Sequence, residues 1–370
     1  MFDERSRILR PEIPDGKRIL VISDIHGNLA YLKALLDQVR YTEDDILILD
    51  GDFLEKGPDS LGTLHYLMEL TERGNVYPIL GNCDEWQLVF RWGKDGDEHM
   101  GHYLRKRRYG LLYEMLLSQG IDPLAIRRVS DHLPLLDRVF APEWAFLRSL
   151  PHAIETEQFI FAHAGMDGSK PLEENTPDEL TARSAFLREG QRFEKWIVTG
   201  HWPVVLYGEN IVCANPIIDR EHHIITIDGG CVLKDDGQLN ALILPDIRCT
   251  DPDRFSFEAY DPFPVAEVLD AQSAGERSYY IRWGDSDVKV LSRGEEFSRC
   301  RHIRTGYEMD ILTKYLFMDR EITGCNDSTD YLLPLQPGDR IRITERTSRG
   351  VLAKHNGVSG WYQGRLKEGD

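Results

Sequence analysis

The feature that most constrains the fold is an alternation of apolar and helix-like segments in the first half of the chain. Residues 18–23, 46–49 and 76–80 are apolar runs of strand length. Residues 29–39 and 60–70 lie between them and carry apolar side chains at helical spacing. Because consecutive parallel strands are usually joined by a helix, this order predicts an α/β fold with a largely parallel sheet covered by helices.

The rest of the chain predicts a second sheet and a separate β-rich region. Residues 86–150 have a helical pattern, which we interpret as an insertion at one edge of the core. Strands of a second, mixed sheet are predicted at residues 159–162, 196–199, 211–213, 224–227 and 241–244. A stretch that carries proline and aspartate follows. The chain is thereby divided into a first domain (1–250), a linker with small β units (251–330) and a C-terminal segment that resembles an SH3-like barrel (331–370).

Polar side chains with metal-binding chemistry stand where the predicted strands end. In chain order they are Asp24, His26, Asp52, Asn82, His163 and His201. A glycine close to each of them allows the backbone to turn tightly. Any one of these residues, taken alone, is better explained as a helix cap or a turn residue. Their recurrence at strand after strand instead predicts a metal site, because ligands of α/β folds bind at the carboxyl ends of the strands.

The overall charge and the cysteines limit the partners and the compartment. The formal net charge of -18 argues against passive affinity for nucleic acids or anionic membranes. The sequence has no run of about 18 uncharged apolar residues, so no membrane-spanning helix is predicted. Its six cysteines are scattered without a Cys-x-x-Cys pair, and the charged N-terminus lacks the apolar part of a signal peptide. We therefore expect a cytoplasmic protein with free thiols and with neither a membrane nor a nucleic-acid partner.

The ordered motifs make the chain resemble a known family of phosphoesterases. The motifs are Asp-x-His-Gly at Asp24, Gly-Asp at Asp52, Gly-Asn-x-x-Glu at Asn82, His-Ala-Gly at His163 and Gly-His at His201. They are similar to those of the calcineurin-like metallophosphoesterases, and most similar to the phosphoprotein phosphatase branch with the related bacterial diadenosine-tetraphosphate hydrolases. The resemblance covers about residues 18–245. It implies a four-layer α/β/β/α sandwich of two mixed sheets.

The resemblance also implies two divalent metal ions and a set of ligands for them. The implied ligands are Asp24, His26 and Asp52 for the first ion and Asp52, Asn82, His163 and His201 for the second. This mixture of carboxylate, amide and imidazole donors suits Mn²⁺, Fe or Zn²⁺, of which we expect Mn²⁺. The pair of ions would activate a bridging water to hydrolyse a phosphate ester, without a protein nucleophile.

Two cationic residues are expected to bind the phosphate group. Lys56 stands where related phosphatases carry an arginine, so the charge is kept but the bidentate fork is lost. Arg183 begins an Arg-x-x-Phe-Leu segment similar to that of bacterial relatives, although it is also explained as a helix-surface arginine. Asn82 is expected to contact the substrate as well as a metal ion.

The group that protonates the leaving oxygen is the point at which the chain departs from the family. Most phosphoprotein phosphatases carry a histidine paired with an aspartate, where this chain has Cys83 and Glu55. Cys83, Asp84 or a metal-bound water are the alternatives for this role. The joint replacement favours substrates with good leaving groups, such as phenols, acyl phosphates and nucleoside phosphates in a pyrophosphate linkage.

The first expectation for the reaction is hydrolysis of a phosphomonoester, as in serine/threonine protein phosphatases. The alternatives are a phosphodiesterase or dinucleoside polyphosphate hydrolase, and a non-catalytic scaffold that binds a phosphorylated ligand. The expected partner is therefore a phosphorylated protein or small molecule. The SH3-like segment predicts a further protein partner.

Overall fold

The computed structural model describes residues 5–90, 96–319 and 322–368. These residues form two compact units, each with its own hydrophobic core. The first unit contains the chain up to Pro203 together with Pro216–Leu233 and Gly237–Asp261. The second unit contains Val204–Asn215, Lys234–Asp236 and the chain from Pro262 onward.

Among the described residues, α-helices occur in the first unit and strands occur in both units. The α-helices are α1 (Leu29–Gln38), α2 (Ser60–Thr71), α3 (Asn82–Phe90), α4 (Gly96–Lys106), α5 (Leu111–Ser118), α6 (Leu133–Val139), α7 (Ala141–Ser149) and α8 (Pro177–Thr181). The strands are β1 (Ile8–Leu9), β2 (Ile19–Ile22), β3 (Ile46–Asp50), β4 (Val76–Ile79), β5 (Ala153–Glu155), β6 (Phe159–Phe161), β7 (Trp196–Thr199), β8 (Val212–Cys213), β9 (Ile217–Asp219), β10 (Ile224–Thr226), β11 (Leu239–Leu244), β12 (Ser256–Tyr260), β13 (Val265–Val268), β14 (Tyr280–Ile281), β15 (Val288–Ser292), β16 (Phe297–His302), β17 (Glu308–Leu312), β18 (Leu316–Asp319), β19 (Ile322–Cys325), β20 (Ser328–Thr329), β21 (Arg340–Thr347), β22 (Gly350–His355), β23 (Val358–Tyr362) and β24 (Leu366–Glu368).

The first unit contains two mixed sheets. In one sheet the order is β12-β11-β2-β3-β4, with β2, β3 and β4 parallel to one another and β11 antiparallel to both of its neighbours. In the other sheet the order is β1-β5-β6-β7-β10-β9, in which β6, β7 and β10 are parallel. Helices α1 and α2 connect β2, β3 and β4, as the alternation in the sequence predicts.

The layers of the first unit follow from the alternation of side chains along its strands. Val21 of one sheet and Phe161 of the other belong to the apolar core between the sheets. Leu20 points to the opposite face and packs with Leu32 of α1 in the helix-facing core. Ile160 belongs to a third core on the outer face of the second sheet, which includes a residue of α8. The predicted four-layer α/β/β/α sandwich is therefore confirmed.

The region predicted as a helical insertion contains α4 to α7 within its described part. Its buried side chains, among them Leu104, Leu111 and Leu147, join the same core as α1 and α2. The insertion thus covers the helix-facing side of the first sheet and brings side chains of α4 close to the strand ends.

Two of the strands predicted for the second sheet lie elsewhere. Residues 241–244 lie in β11, which pairs with β2 in the first sheet and is almost completely buried. Residues 212–213 form β8, which pairs with β23 in the second unit. An apolar run indicates that a strand is buried but carries no information on its partner, so these pairings depend on the tertiary structure.

The structure also divides the chain differently from the predicted boundaries. Residues 256–260 of the expected linker form β12, which pairs with β11 at the edge of the first sheet. Residues 265–268 form β13, which lies between β21 and β24. The 331–370 segment therefore shares its sheet with strands from earlier in the chain, because its own apolar side chains need Ala266 and Val268 to complete their core.

The second unit is rich in β structure, as predicted. Its largest sheet has the order β24-β13-β21-β22-β23-β8. A smaller sheet, β15-β16-β17, packs on a core formed by residues such as Ile281, Cys300 and Ile311.

Among the described residues, no helix has both the length and the hydropathy needed to cross a membrane.

Candidate metal centre

Loops at the carboxyl ends of five strands bring the predicted ligands together. The side chains and the strands that they follow are Asp24 and His26 (β2), Asp52 (β3), Asn82 (β4), His163 (β6) and His201 (β7). Backbone hydrogen bonds join the first two loops. The N–H of Asp24 donates to the carbonyl of Gly51 at 3.0 Å, and the N–H of His26 donates to the carbonyl of Asp52 at 2.9 Å.

Four of these residues have a left-handed backbone conformation that residues other than glycine rarely adopt. The φ angle is 54° at Asp24, 50° at His26, 52° at Asp52 and 63° at His201. Such a conformation costs about 1–3 kcal/mol per residue and persists only where the surrounding structure enforces it. Its repetition at neighbouring strand ends indicates a functional site.

Two groups of potential metal ligands share Asp52. Within the described residues, ligand atoms of His26, Asp52 and Cys83 lie within 4.8 Å of one another, and so do those of Asp52, His163 and His201. His26 Nε2 lies 3.8 Å from Asp52 Oδ2, whereas His163 Nε2 lies 3.4 Å from Asp52 Oδ1. The two carboxylate oxygens thus face different histidines, which is the arrangement expected of a carboxylate shared by two cations.

Hydrogen bonds to the backbone orient the histidine rings. Nδ1 of His163 lies 2.7 Å from the carbonyl oxygen of Asp50, and Nδ1 of His26 lies 3.4 Å from that of Leu54. When Nδ1 donates, Nε2 keeps a lone pair that can bind a metal ion. Burial lowers the pKa of His26 to about 3, which keeps its ring in the neutral form that coordinates metals.

The buried polar atoms of the site fit a pair of cations. Asp24 Oδ1, His26 Nε2 and His163 Nε2 are buried, and none has a hydrogen-bond partner in the part of the chain that the structure describes. The side-chain oxygen of Asn82 lies 2.8 Å from Nδ1 of His201, so two acceptors face each other. Rotation of the amide would turn this contact into a hydrogen bond, whereas a shared cation satisfies both acceptors as they stand. Buried acceptors without a partner cost free energy, and divalent ions among them remove that cost.

Glycines next to the ligands leave room for the carboxylates. A Cβ atom at Gly81 would lie 2.2 Å from Oδ1 of Asp52, and one at Gly200 would lie 2.2 Å from Oδ2 of Asp24. A side chain at either position would displace a carboxylate ligand, so glycine is required at both for close approach.

Asp228 is a site residue that the ligand assignment from the sequence missed. It follows β10, is completely buried, and its Oδ2 has no hydrogen-bond partner among the described residues. Burial and the Asp228 carboxylate raise the pKa of Asp24 well above its usual range, which shows that the two groups are close. The signal in the sequence is the same as for the other ligands: an aspartate and glycines directly after an apolar strand.

Cys83 belongs to one of the two ligand groups and also contacts Lys56. Its backbone N–H donates to Asp52 Oδ1 at 2.8 Å, and its sulfur is hydrogen-bonded to the Lys56 side chain. Burial and the Asp52 carboxylate raise the pKa of the thiol well above its usual range, so it is a poor proton donor.

Lys56 keeps its positive charge although it is largely buried. Burial lowers the pKa of Lys56, but Cys83 and the nearby carboxylates raise it by a larger amount, so the net pKa is above its ordinary value. Lys56 therefore keeps its charge beside the ligand cluster, and its role in phosphate binding stays a prediction.

Asp84 holds the neighbouring loops together instead of facing a substrate. Its carboxylate accepts backbone N–H groups of Leu54 at 3.1 Å, Gly81 at 3.0 Å and Phe53 at 3.4 Å. Both oxygens are engaged in these bonds. The structure thus gives Asp84 a positioning role in place of the predicted role as an acid.

Glu55 is likewise committed to structure. Its carboxylate accepts hydrogen bonds from Gln87 Nε2 at 2.7 Å, from the N–H of Leu111 at 2.8 Å and from the hydroxyl of Tyr103. Burial raises the pKa of Glu55 to about 7. This residue ties the loop that carries Lys56 to three helices and does not form an acid pair of the usual phosphatase kind.

Arg183 is held by an ion pair. Its Nη1 lies 3.0 Å and 2.9 Å from the two carboxylate oxygens of Glu189. The structure places it on the loop after α8, and the contacts described for it do not include the ligand cluster. Its role in phosphate binding stays a prediction.

A cavity of about 370 Å³ lies against the ligand cluster. Asn82, Cys83 and Lys56 form one side of it, and Trp86, Tyr103 and Arg107 form part of the rest. The rings of Trp86 and Tyr103 have centroids 4.6 Å apart. Arg107 belongs to the basic run of residues 105–108, whose four members are alike in the sequence, so only the structure shows that Arg107 lines the cavity.

Two curated relatives match part of this sequence. One curated relative is the symmetrical bis(5'-nucleosyl)-tetraphosphatase of Actinobacillus pleuropneumoniae serotype 3 (strain JL03), which is 30% identical over 181 residues, or 48% of this chain and 63% of the relative. The enzyme of the same name from Vibrio cholerae serotype O1 (strain M66-2) is 29% identical over 212 residues, or 55% of this chain and 64% of the relative. The chain therefore spans less than two thirds of the length of either relative.

A solved structure and a family model complete the comparison. The crystal structure of a metallophosphoesterase from Sphaerobacter thermophilus has 16% identity and a TM-score of 0.40, and the match covers 66% of this chain and 89% of that chain. The family model described as calcineurin-like phosphoesterase matches residues 17–229. These residues hold all six predicted ligands and make up more than half of the chain. The protein belongs to the calcineurin-like phosphoesterases.

Proposed function

We propose that the protein is a two-metal phosphoesterase that hydrolyses dinucleoside polyphosphates. The observation that carries the proposal is the cavity beside the ligand cluster, which combines aromatic and cationic side chains. Its volume of about 370 Å³ lies in the range of pockets that bind small molecules. The names of the curated relatives support the same substrate class.

The aromatic part of the cavity suits a nucleobase. Trp86 on α3 and Tyr103 on α4 both line it, with an angle of 50° between their ring planes. Stacking of a base on an aromatic side chain contributes about 1–3 kcal/mol. The hydroxyl of Tyr103 donates to Glu55, which holds this ring in place.

The cationic part of the cavity suits a chain of phosphates. Lys56 lies next to the ligand cluster, and Arg107 is exposed at the end of α4. A substrate with several phosphates presents more than one charge to the two cationic side chains that line this cavity. Two cations on one cavity wall favour a polyphosphate over a simple phosphomonoester.

The residues at the usual position of the acid favour the same class. Cys83 is a weak proton donor, and Glu55 and Asp84 are engaged in structural hydrogen bonds. A nucleotide released from a phosphoanhydride is stable as an anion and leaves without a proton. The phosphoester of a serine side chain needs such a proton and is therefore a poorer substrate.

The ligand set described above would hold two divalent ions, which lower the pKa of a bound water and offset charge on the phosphate oxygens. The protein's own groups orient the reactants. Asp52 sets the spacing of the two ligand groups, Asn82 borders both the cluster and the cavity, and Lys56 fixes the anionic end of the substrate.

A substrate panel tests the proposal. The purified protein, supplied separately with Mn²⁺ and Zn²⁺, is assayed with diadenosine tetraphosphate, p-nitrophenyl phosphate, bis-p-nitrophenyl phosphate and a phosphoserine peptide. We expect diadenosine tetraphosphate to have the highest kcat/KM, by about 10-fold or more, since base stacking adds binding energy of the order of 1–3 kcal/mol. A phosphoserine peptide that is hydrolysed equally well would overturn the proposal and restore the phosphoprotein phosphatase as the better assignment.

Replacement of Arg107 by alanine is expected to raise KM for diadenosine tetraphosphate by about 10-fold, because a hydrogen bond to a charged group contributes about 1.5–3 kcal/mol. KM for p-nitrophenyl phosphate should change much less. The matched control is Arg108→Ala, since Arg108 is also exposed but is not among the described residues that line the cavity. Equal effects of the two substitutions would show that the basic run acts only through its general charge.

A further inference from the structure

We propose that Cys83 is itself a metal ligand, with its sulfur bound to the same cation as His26 and Asp52. This inference rests on the two-metal site of the proposed function and adds a soft donor to one half of it. The other half keeps the donors Asp52, Asn82, His163 and His201.

The geometry at the start of α3, directly after β4, supports this assignment. The sulfur of Cys83, a ring nitrogen of His26 and a carboxylate oxygen of Asp52 lie within 4.8 Å of one another, which is the scale on which the donors of one ion converge. The hydrogen bond from the N–H of Cys83 to Asp52 Oδ1, at 2.8 Å, holds the sulfur beside that carboxylate. Asn82 and Cys83 are the first two residues of α3, so the start of this helix supplies one donor to each half of the site.

His26 provides a second, independent observation. Its ring is completely buried, and its Nε2 has no hydrogen-bond partner in the residues that the structure describes. The same nitrogen lies 3.7 Å from Asp24 Oδ1 and 3.8 Å from Asp52 Oδ2. A lone pair directed into a group of acceptors indicates a cation at the point that Cys83 also borders.

Lys56 completes the argument, because its ammonium group is hydrogen-bonded to the Cys83 sulfur. This positive charge offsets part of the effect of burial and of the Asp52 carboxylate, which together disfavour a thiolate while no cation is bound. On binding, the S–H bond of Cys83 breaks, its proton passes to solvent, and a sulfur lone pair forms the bond to the cation. No change of oxidation state is involved.

A thiolate donor changes the expected metal. Sulfur ligands favour Zn²⁺ or Fe over Mn²⁺, which prefers oxygen donors. The inference therefore replaces the Mn²⁺ expected from the sequence by Zn²⁺ or Fe in this half of the site.

Spectroscopy of the metal-loaded protein tests the inference without an activity assay. Metal-free protein is titrated with Co²⁺, and we expect the near-ultraviolet charge-transfer absorption of a sulfur–cobalt bond. X-ray absorption of the Zn²⁺-loaded protein should show a sulfur neighbour at about 2.3 Å. In Cys83→Ser both signals should vanish, and the affinity for Zn²⁺ should fall by about 10- to 100-fold while that for Mn²⁺ changes less.

The matched control is Cys249→Ser, a partly buried cysteine of the same unit outside the ligand groups, which should keep both signals. The inference is overturned if the protein binds the metal without a sulfur signal, or if the signal persists in Cys83→Ser. The spectrum of the wild-type protein is decisive even if the variant is unstable. A sulfur signal in a protein that does not hydrolyse dinucleoside polyphosphates would refute the proposed substrate and leave the ligand assignment intact.

Discussion

Replacing Asp52 by asparagine is expected to lower kcat/KM by at least about 1,000-fold, because loss of a shared metal ligand removes several kcal/mol of transition-state stabilisation. Asparagine has almost the same shape and can still accept the hydrogen bond from the N–H of Cys83. Burial raises the pKa of Asp52, but the neighbouring His163, His26 and Lys56 lower it by more, so the net pKa lies well below its ordinary value and the metal-free variant should melt at a lower temperature than the metal-free wild type. The measurements are kcat/KM, bound metal per chain and Tm without metal.

The matched control for this prediction is Asp59→Asn. Asp59 caps α2 by accepting the N–H of Gly62 at 2.9 Å, and asparagine is an equally good N-cap residue. This variant should keep its metal content and its activity. Retention of two metal ions and of most activity in Asp52→Asn would contradict the shared-ligand role of Asp52.

Replacing Gly81 by alanine is expected to remove most activity and to destabilise the fold by about 1–3 kcal/mol, which is the usual cost of overpacking. The new Cβ would lie 2.2 Å from both the backbone nitrogen and Oδ1 of Asp52. Because a backbone nitrogen cannot rotate away as the end of a side chain could, the loop after β3 must move, and the shared ligand moves with it. Metal content, kcat/KM and the denaturant midpoint measure the two effects.

Gly275→Ala serves as the control for this substitution. A Cβ at Gly275 would lie 3.4 Å from the carbonyl oxygen of Arg277, which is ordinary van der Waals contact, so stability and metal binding should stay unchanged. If Gly81→Ala bound two metal ions with unchanged affinity, the close packing of Gly81 on Asp52 would not be what positions this ligand.

The roles of individual residues in the site depend on contacts that no local pattern contains. Cys83 and Asp84 are adjacent in the sequence, yet one side chain lies beside Lys56 and the other accepts three backbone N–H groups. Arg107 lines the cavity although it is part of a uniform basic run. Arg183 matches a family motif, but the structure pairs it with Glu189.

The sequence by itself determined the order of β2, β3 and β4 with their helices and the position of the ligands at the strand ends. Both follow from local information, because side-chain periodicity reports the type of element and parallel strands place their carboxyl ends at one edge of a sheet. Only the tertiary structure decided that β11 pairs with β2, that Glu55 and Asp84 serve the fold, and that Cys83 faces His26 and Asp52. These outcomes depend on which distant segments pack together, and the same apolar run or polar residue is compatible with several partners until the core is formed.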